Sequence, residues 1–429
     1  MTPGARLQAA IDILSNIART QTPADRVVDG WARASRYAGS KDRAAVSELV
    51  YSTLRHRAEL VHAVKSTEPR MLAMGNVALI EGQGSDATIS LADGGAHAPA
   101  PLDESEANSL REATLPGSSA EPWVRLNYPE FLHTELLAAF GERLDVEMAA
   151  LMHRAPTDLR VNLIKGGRDK AVEKLAEENV SIEPTPLSPW GLRLTAKVNL
   201  PGLKTFRDGV FEIQDEGSQL ACFVANPKPG EQVLDLCAGG GGKTLALASL
   251  MKNRGQIHAS DTDPRRLANL MPRAQRAGIR NAQTLPLAPW TEGQADESLV
   301  RLLNKMDCVL VDAPCSGTGA WRRSPDSRWR LTPELLANYH AAQREVLERG
   351  ARAVKQGGRL VYVTCSLLPS ENEKQIASFL NRHPEFQLMD WDSELIDRPS
   401  SLPSGGALKL SPASTQTDGF FIAVLRRLE

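Results

Sequence analysis

Apolar residues at Leu7, Ile11, Leu14 and Ile17 recur at three- and four-residue steps, the spacing of one face of an α-helix. A second helix is expected over 25–34, behind Thr22-Pro23. A third is expected over 41–63, with Val46, Leu49, Val50 and Leu54 as its inner stripe. The stretch 81–120 changes character: Gly, Ala, Ser and Pro dominate, and seven acids stand against one Arg. Asp103 followed by Glu106 has the spacing of a capping box, so a helix is expected over 103–114 and a mobile loop over 82–101. From 121 to 210 the pattern is mixed. Helices are expected over 129–140 (ended by Gly141), 146–152 and 169–178. The segment 158–164 alternates like a strand, and 192–194 forms another.

From Phe211 strands alternate with helices. Strands are expected at 233–236, 256–259 running on to Asp261, 283–285, 308–311, 359–364 and 420–425. Helices follow the first strand through Met251, span 264–277 and 333–354, and cover 372–380. This alternation predicts an α/β, doubly wound, mostly parallel sheet. Three domains are expected: helical 1–120, a small α+β module over 121–210, and the α/β domain 211–429.

The 42% hydrophobic content leaves ample core, and the net charge of −2 gives no global basic field for nucleic acid. Residues 1–65 are mildly basic, with ten Lys/Arg against six Asp/Glu, a balance that also suits a merely solvated face. Five cysteines without a C-x-x-C form neither a disulfide framework nor a metal site, and they suit a reducing cytoplasm. The chain has no apolar run of membrane-spanning length and no signal-like start, so a soluble, cytoplasmic monomer is expected, with no membrane contact.

Asp235-Leu-Cys-Ala-Gly-Gly-Gly-Gly-Lys-Thr244 follows a strand and opens a helix, a setting where backbone N–H groups can approach a ligand closely. A phosphate-binding P-loop fails, because Cys237 holds the first glycine position of that motif. A dinucleotide turn and an S-adenosylmethionine loop remain. In the second, Cys237, Ala238, Gly239, Gly240, Gly241, Gly242 and Lys243 would bind the donor, and Asp261 would accept hydrogen bonds from its ribose hydroxyls.

Cys315 and Cys365 each lie just past a core strand, while Cys222, Cys237 and Cys308 read as core filler. Methylating C5 of a pyrimidine calls for a thiolate that adds to C6, a carboxyl group at N3, and a base that later removes the C5 proton. Cys315, Cys365 and Asp312 supply those groups. Trp321-Arg322-Arg323 and Arg328-Trp329-Arg330 interleave planar aromatics with guanidinium groups that suit stacked bases and phosphates. The alternative is a structural loop with packed tryptophans.

Asp312-Ala-Pro-Cys-Ser-Gly317, the run Gly357-Gly-Arg-Leu-Val-Tyr-Val-Thr-Cys-Ser366 with Glu371-Asn-Glu373, Asp418-Gly-Phe-Phe421 and Gln214-Asp-Glu-Gly-Ser-Gln219 together resemble the Nop2/Sun family of RNA cytosine-5 methyltransferases. The resemblance covers about 121–429. Residues 1–120 resemble the NusB-like helical domain of that family's bacterial 16S rRNA members. The likeness implies a Rossmann-like class I methyltransferase domain, S-adenosylmethionine as cofactor, and RNA as partner, 16S rRNA or a small-subunit assembly particle. It implies Cys365 as nucleophile, Cys315 as the group that resolves the adduct, and Asp312 at the base and near the donor. It also implies an RNA-contacting module containing Arg160 and Asn162. Two positions depart from the family pattern. Gly240 stands where Pro is usual, and no acid occurs at Pro286-Leu287-Ala288, where the family places one for adenine. An apolar adenine pocket with backbone hydrogen bonds is expected instead. The alternative function is a non-catalytic RNA-binding assembly factor with weakened donor binding.

Overall fold

Thr2 opens the first helix by accepting the Ala5 N–H at 3.2 Å, with Pro3 at the first helical position where its missing N–H costs nothing. In this computed structural model, which describes residues 1–290, 296–393, 395 and 399–429, the chain divides into two units. One is Met1–Arg154 with Ala320–Pro333; the other is Ala155–Gly319 with Glu334–Glu429. The helical unit therefore extends past residue 120 and takes in a segment from far along the sequence.

In the helical unit, Pro3–Thr20, Ala24–Ala34 and Ser40–Arg55 bury their apolar stripes together. The single helix expected over 41–63 is two, Ser40–Arg55 and Arg57–Val64. The side chain of Asn127 accepts the N–H groups of Ala58 (2.9 Å) and Glu59 (3.2 Å), serving the new helix's first turn from 68–69 residues away. No local pattern announces such a cap. Pro69–Gly75 continues into a wider π-type turn, Asn76–Ile80. The Asp103–Glu106 capping box forms as expected and starts Glu104–Glu112. The expected loop 82–101 contains a short helix, Ser85–Ser90, tied by the Ser85 hydroxyl to the Leu110 carbonyl at 2.8 Å.

The second unit holds two sheets. The strands in chain order are β1 Asp158–Val161, β2 Ile182–Pro184, β3 Gly191–Leu194 and β4 Phe211–Ile213, then β5 Gln232–Leu236, β6 Gln256–Asp261, β7 Ala282–Pro286, β8 Met306–Asp312, β9 Val354–Thr364, β10 Phe386–Met389, β11 Leu408–Leu410 and β12 Phe420–Arg427. The first four form an antiparallel sheet in the order β2-β3-β1-β4. The larger sheet runs β10-β12-β9-β8-β5-β6-β7, with β11 also on β12. Strands β5 to β9 are parallel, whereas β12 is antiparallel to β9. Strand β5 leads outward to β6 and β7, and the chain then returns to place β8 on β5's other side. That reversal opens a crevice at the carboxyl ends of β5 and β8, where α/β sheets hold ligands. Val233, Ile257 and Leu310 pack on one face, and Leu234, Val309 and Val311 on the other, the two-sided burial expected of parallel strands.

Candidate active site

Strand β5 ends in the glycine loop. Cys237 takes a left-handed conformation (φ +69°), as do Gly239 (φ +57°) and Gly241 (φ +82°). A Cβ on Gly241 would lie 2.6 Å from Leu270 Cγ, so both space and backbone conformation call for glycine there. The Ala238 N–H reaches Ser260 O at 2.8 Å, and the Gly239 N–H reaches Asp261 Oδ2 at 2.9 Å. Gly240, in the usual proline's place, has its carbonyl held by Arg273 Nη1 at 2.6 Å, a substitute restraint from outside the loop.

The loop fits an S-adenosylmethionine cradle. Helix Gly242–Leu250 begins without a side-chain cap, leaving N–H groups for a ligand. Asp235, wholly buried, gives Oδ2 to the Thr244 hydroxyl at 2.6 Å, while Oδ1 has no partner and remains a spare acceptor. Burial pushes its carboxyl up to about 7, opposed by the Thr244 hydrogen bond. Asp261 sits at the end of β6 as expected. It also braces the loop through Gly239, accepts the Asp263 N–H at 2.9 Å and pairs with Arg266 at 3.3 Å. At the expected adenine position the Leu287 N–H donates to Asp261 O at 3.0 Å and the Ala288 N–H to the Ser298 hydroxyl at 2.9 Å. Those two N–H groups are engaged within the fold.

Across the crevice, Asp312 ends β8, and its Oδ2 lies 2.7 Å from Lys243 Nζ. Burial lowers the ammonium's pKa, but the charge and hydrogen bond of Asp312 outweigh that and push it up to about 12. Lys243 also faces the Phe420 ring, 5.8 Å from its centroid. The sequence motif places Lys243 in the donor loop; its pairing with Asp312 leaves no local signal, because it depends on β5 and β8 being neighbours.

The two thiols meet. Cys315 Sγ and Cys365 Sγ are 3.5 Å apart, both free and partly accessible. Parallel β8 and β9 deliver them to the same end of the sheet. The Ala313 N–H bonds Val363 O, and the Gly319 N–H bonds Cys365 O, each at 2.9 Å. Cys315 is pushed well above the usual thiol range, first by its hydrogen bond to Cys365, then by burial and by the charges of Cys365 and Glu371. A negative charge on the neighbouring sulfur disfavours a second one this close, which adds to the hold on the Cys315 proton. Cys222 and Cys308 are buried in the core, with pKa values raised to about 12 and about 11 by burial.

The expected RNA-side residues mostly face inward. Arg160 is buried, and its Nη1 bonds Gln214 Oε1 at 2.6 Å and the Gly242 carbonyl. Asn162 donates to Gly209 O (2.9 Å) and Ala277 O (2.8 Å). These two join the small sheet to the glycine-loop domain, so both side chains expected at the RNA face inward. In the helical unit Arg328 is 1% exposed, bonds Asn127 O and stacks over the buried Trp321. Arg330 pairs with Asp326 at 2.9 Å, Trp329 Nε1 donates to Leu54 O at 2.6 Å, and Arg322 is buried. Tryptophan burial has drawn this stretch inward. Arg323 alone of the four arginines is exposed.

A switch-point glycine loop, an acid after the next strand and a thiol pair beside a Lys–Asp pair define an S-adenosylmethionine-dependent methyltransferase. Residues 222–426 match the family described as 16S rRNA methyltransferase RsmB/F, and residues 128–201 match the ferredoxin-like domain of RsmF/B-like methyltransferases. A Synechocystis sp. protein described as probable ribosomal RNA small subunit methyltransferase B is 36% identical over 313 residues, covering 70% of this chain and 67% of that protein. A Bacillus subtilis protein of the same description is 33% identical over 304 residues, covering 70% and 66%. The crystal structure of PH0851 matches with a TM-score of 0.77 at 26% identity, over 100% of this chain and 99% of that one. The chain belongs to the RsmB/F family of 16S rRNA methyltransferases.

Proposed function

We propose that this chain transfers a methyl group from S-adenosylmethionine to C5 of a cytosine in RNA, with 16S rRNA, free or in a small-subunit assembly particle, as substrate. The observation that carries the reading is the 3.5 Å approach of Cys315 and Cys365. Cys365 as thiolate adds to C6 of a cytosine turned out of its stack, which gives C5 nucleophilic character. When bound, the donor supplies an electrophilic methyl group. Lys243, held charged by Asp312, donates toward N3 and O2 of the base, and Asp312 accepts from the exocyclic amine. Uracil presents the opposite donor and acceptor pattern at its N3 and C4 positions, so the pair favours cytosine.

Bonding to C6 removes the charge on Cys365. The hydrogen bond and the charge of Cys365 then no longer hold the proton on Cys315, although burial and Glu371 still do; Cys315 gives its proton to solvent, takes the C5 proton as thiolate and lets Cys365 leave as thiolate. We assign the helical unit, read as NusB-like, to holding RNA, and we take the protein to act as a monomer. Among the described residues no helix is long and apolar enough to cross a membrane. The unusual adenine side favours the second reading, an assembly factor without catalysis, whereas the intact thiol pair supports an enzyme. Incubating the purified protein with 16S rRNA and methyl-labelled donor, then digesting the RNA, separates them. Label in 5-methylcytidine is expected; donor-independent RNA binding with no label contradicts the enzyme.

A further inference from the structure

A buried carboxylate is costly unless hydrogen bonds engage its oxygens. Glu371 is wholly buried. Its Oε1 accepts the Ser316 N–H and a Gln343 Nε2–H, each at 2.9 Å, and its Oε2 accepts the hydroxyls of both Ser316 and Ser366. Ser316 follows Cys315 and Ser366 follows Cys365. Four donors thus fill one carboxylate, and they come from the two thiol-bearing turns and the long helix Pro333–Ala353.

The bracing spreads from there. Gln343 also holds Pro314 O at 2.9 Å, and the Tyr362 hydroxyl donates to Glu371 O at 2.7 Å. Thr318 Oγ1 accepts the Leu367 N–H at 2.8 Å and lies 3.2 Å from Ser366 Oγ. With the Ser366 proton directed to Glu371, Thr318 is the donor in that contact, so the carboxylate sets the direction of the whole chain of hydroxyls.

We infer that Glu371 is a positioning residue for the thiol pair: one carboxylate ties together the residues after Cys315 and Cys365 and so fixes the separation and the charge environment of the two sulfurs. The groups that shape this environment are Cys315, Cys365, Glu371 and Tyr362, with Lys243 and Asp312 from the crevice. The inference rests on the proposed reaction only for why the sulfurs matter. Thiol reactivity reads it without RNA or donor, so failure of methyl transfer and failure of this proposal are distinguishable.

The test uses the full chain, with peptide mapping to resolve the two cysteines and melting temperature measured alongside. Glu371→Gln keeps the shape, and its amide can donate to the two serine hydroxyls, but the charge is gone. Alkylation of Cys315 by iodoacetamide is expected to move to lower pH, proceeding about two- to fivefold faster at a pH below the wild-type midpoint. The double variant Ser316→Ala/Ser366→Ala keeps the charge and cuts the hydroxyl ties. Diamide accepts two hydrogen atoms as two thiols join in a disulfide, and it is expected to link Cys315 to Cys365 at least about fivefold more slowly in that variant. Native-like melting with both rates unchanged would overturn the inference. If Glu371→Gln fails to fold, the double variant decides: slowed linkage supports the tie, and unchanged linkage refutes it.

Discussion

At the residue scale, the site works by pairing groups that are each costly alone. The partly buried Lys243 ammonium is sustained by Asp312 at 2.7 Å, and the pair can face a cytosine edge with a donor and an acceptor. Lys243→Met is expected to lower methyl transfer by about 10²-fold while donor affinity changes by less than about threefold, measured by steady-state kinetics and donor titration. A large loss of donor affinity with kcat retained would place Lys243 on the donor side instead. Stability follows the same pair. The folded pKa of Lys243 is raised from 10.5 to about 12, so its contribution is complete below 10.5 and is lost as pH rises through about 12. Comparing alkaline unfolding of wild type and Lys243→Met should show a shallower loss for the variant over that window.

At the scale of elements, the strand-and-helix alternation from 232 onward was legible because strands buried on both faces leave continuous apolar runs between glycine and proline signals. Legibility failed where the deciding partner is remote in sequence. The break at His56 depends on Asn127. The arginine–tryptophan stretch reads as an RNA loop until Trp321 and Arg328 are seen stacked and buried inside the helical unit. That reversal is testable. Arg328→Ala leaves the Asn127 carbonyl without this donor and opens space beside Trp321, so it should cost about 1–3 kcal/mol of stability, read by chemical unfolding. Arg323→Ala should reduce the salt dependence of RNA binding, read by titration at several ionic strengths. The opposite pairing of effects would restore Arg328 as the RNA contact.

At the scale of the whole molecule, the chain leaves the α/β unit at Gly319, contributes Ala320–Pro333 to the helical unit and returns at Glu334. The sequence suggested domains laid end to end because local patterns carry no record of such a return. A chain cut to residues 155–429 would retain Trp321, Arg328 and Trp329 without the Leu54 and Asn127 carbonyls they meet. That piece should melt lower than the full chain and expose apolar surface, detected by dye binding. The grouping of the candidate residues was more legible than the domain boundaries: Cys315, Cys365 and Asp312 stand in compact motifs at strand ends, while the pairings with Lys243 and Glu371 needed the sheet order. The central claim, a Cys365 adduct resolved by Cys315, is tested most directly by denaturing electrophoresis of full-length variants incubated with S-adenosylmethionine and 16S rRNA. Cys315→Ala should accumulate a covalent protein–RNA band and Cys365→Ala should form none; a trapped band in Cys365→Ala, with none in Cys315→Ala, would contradict the account.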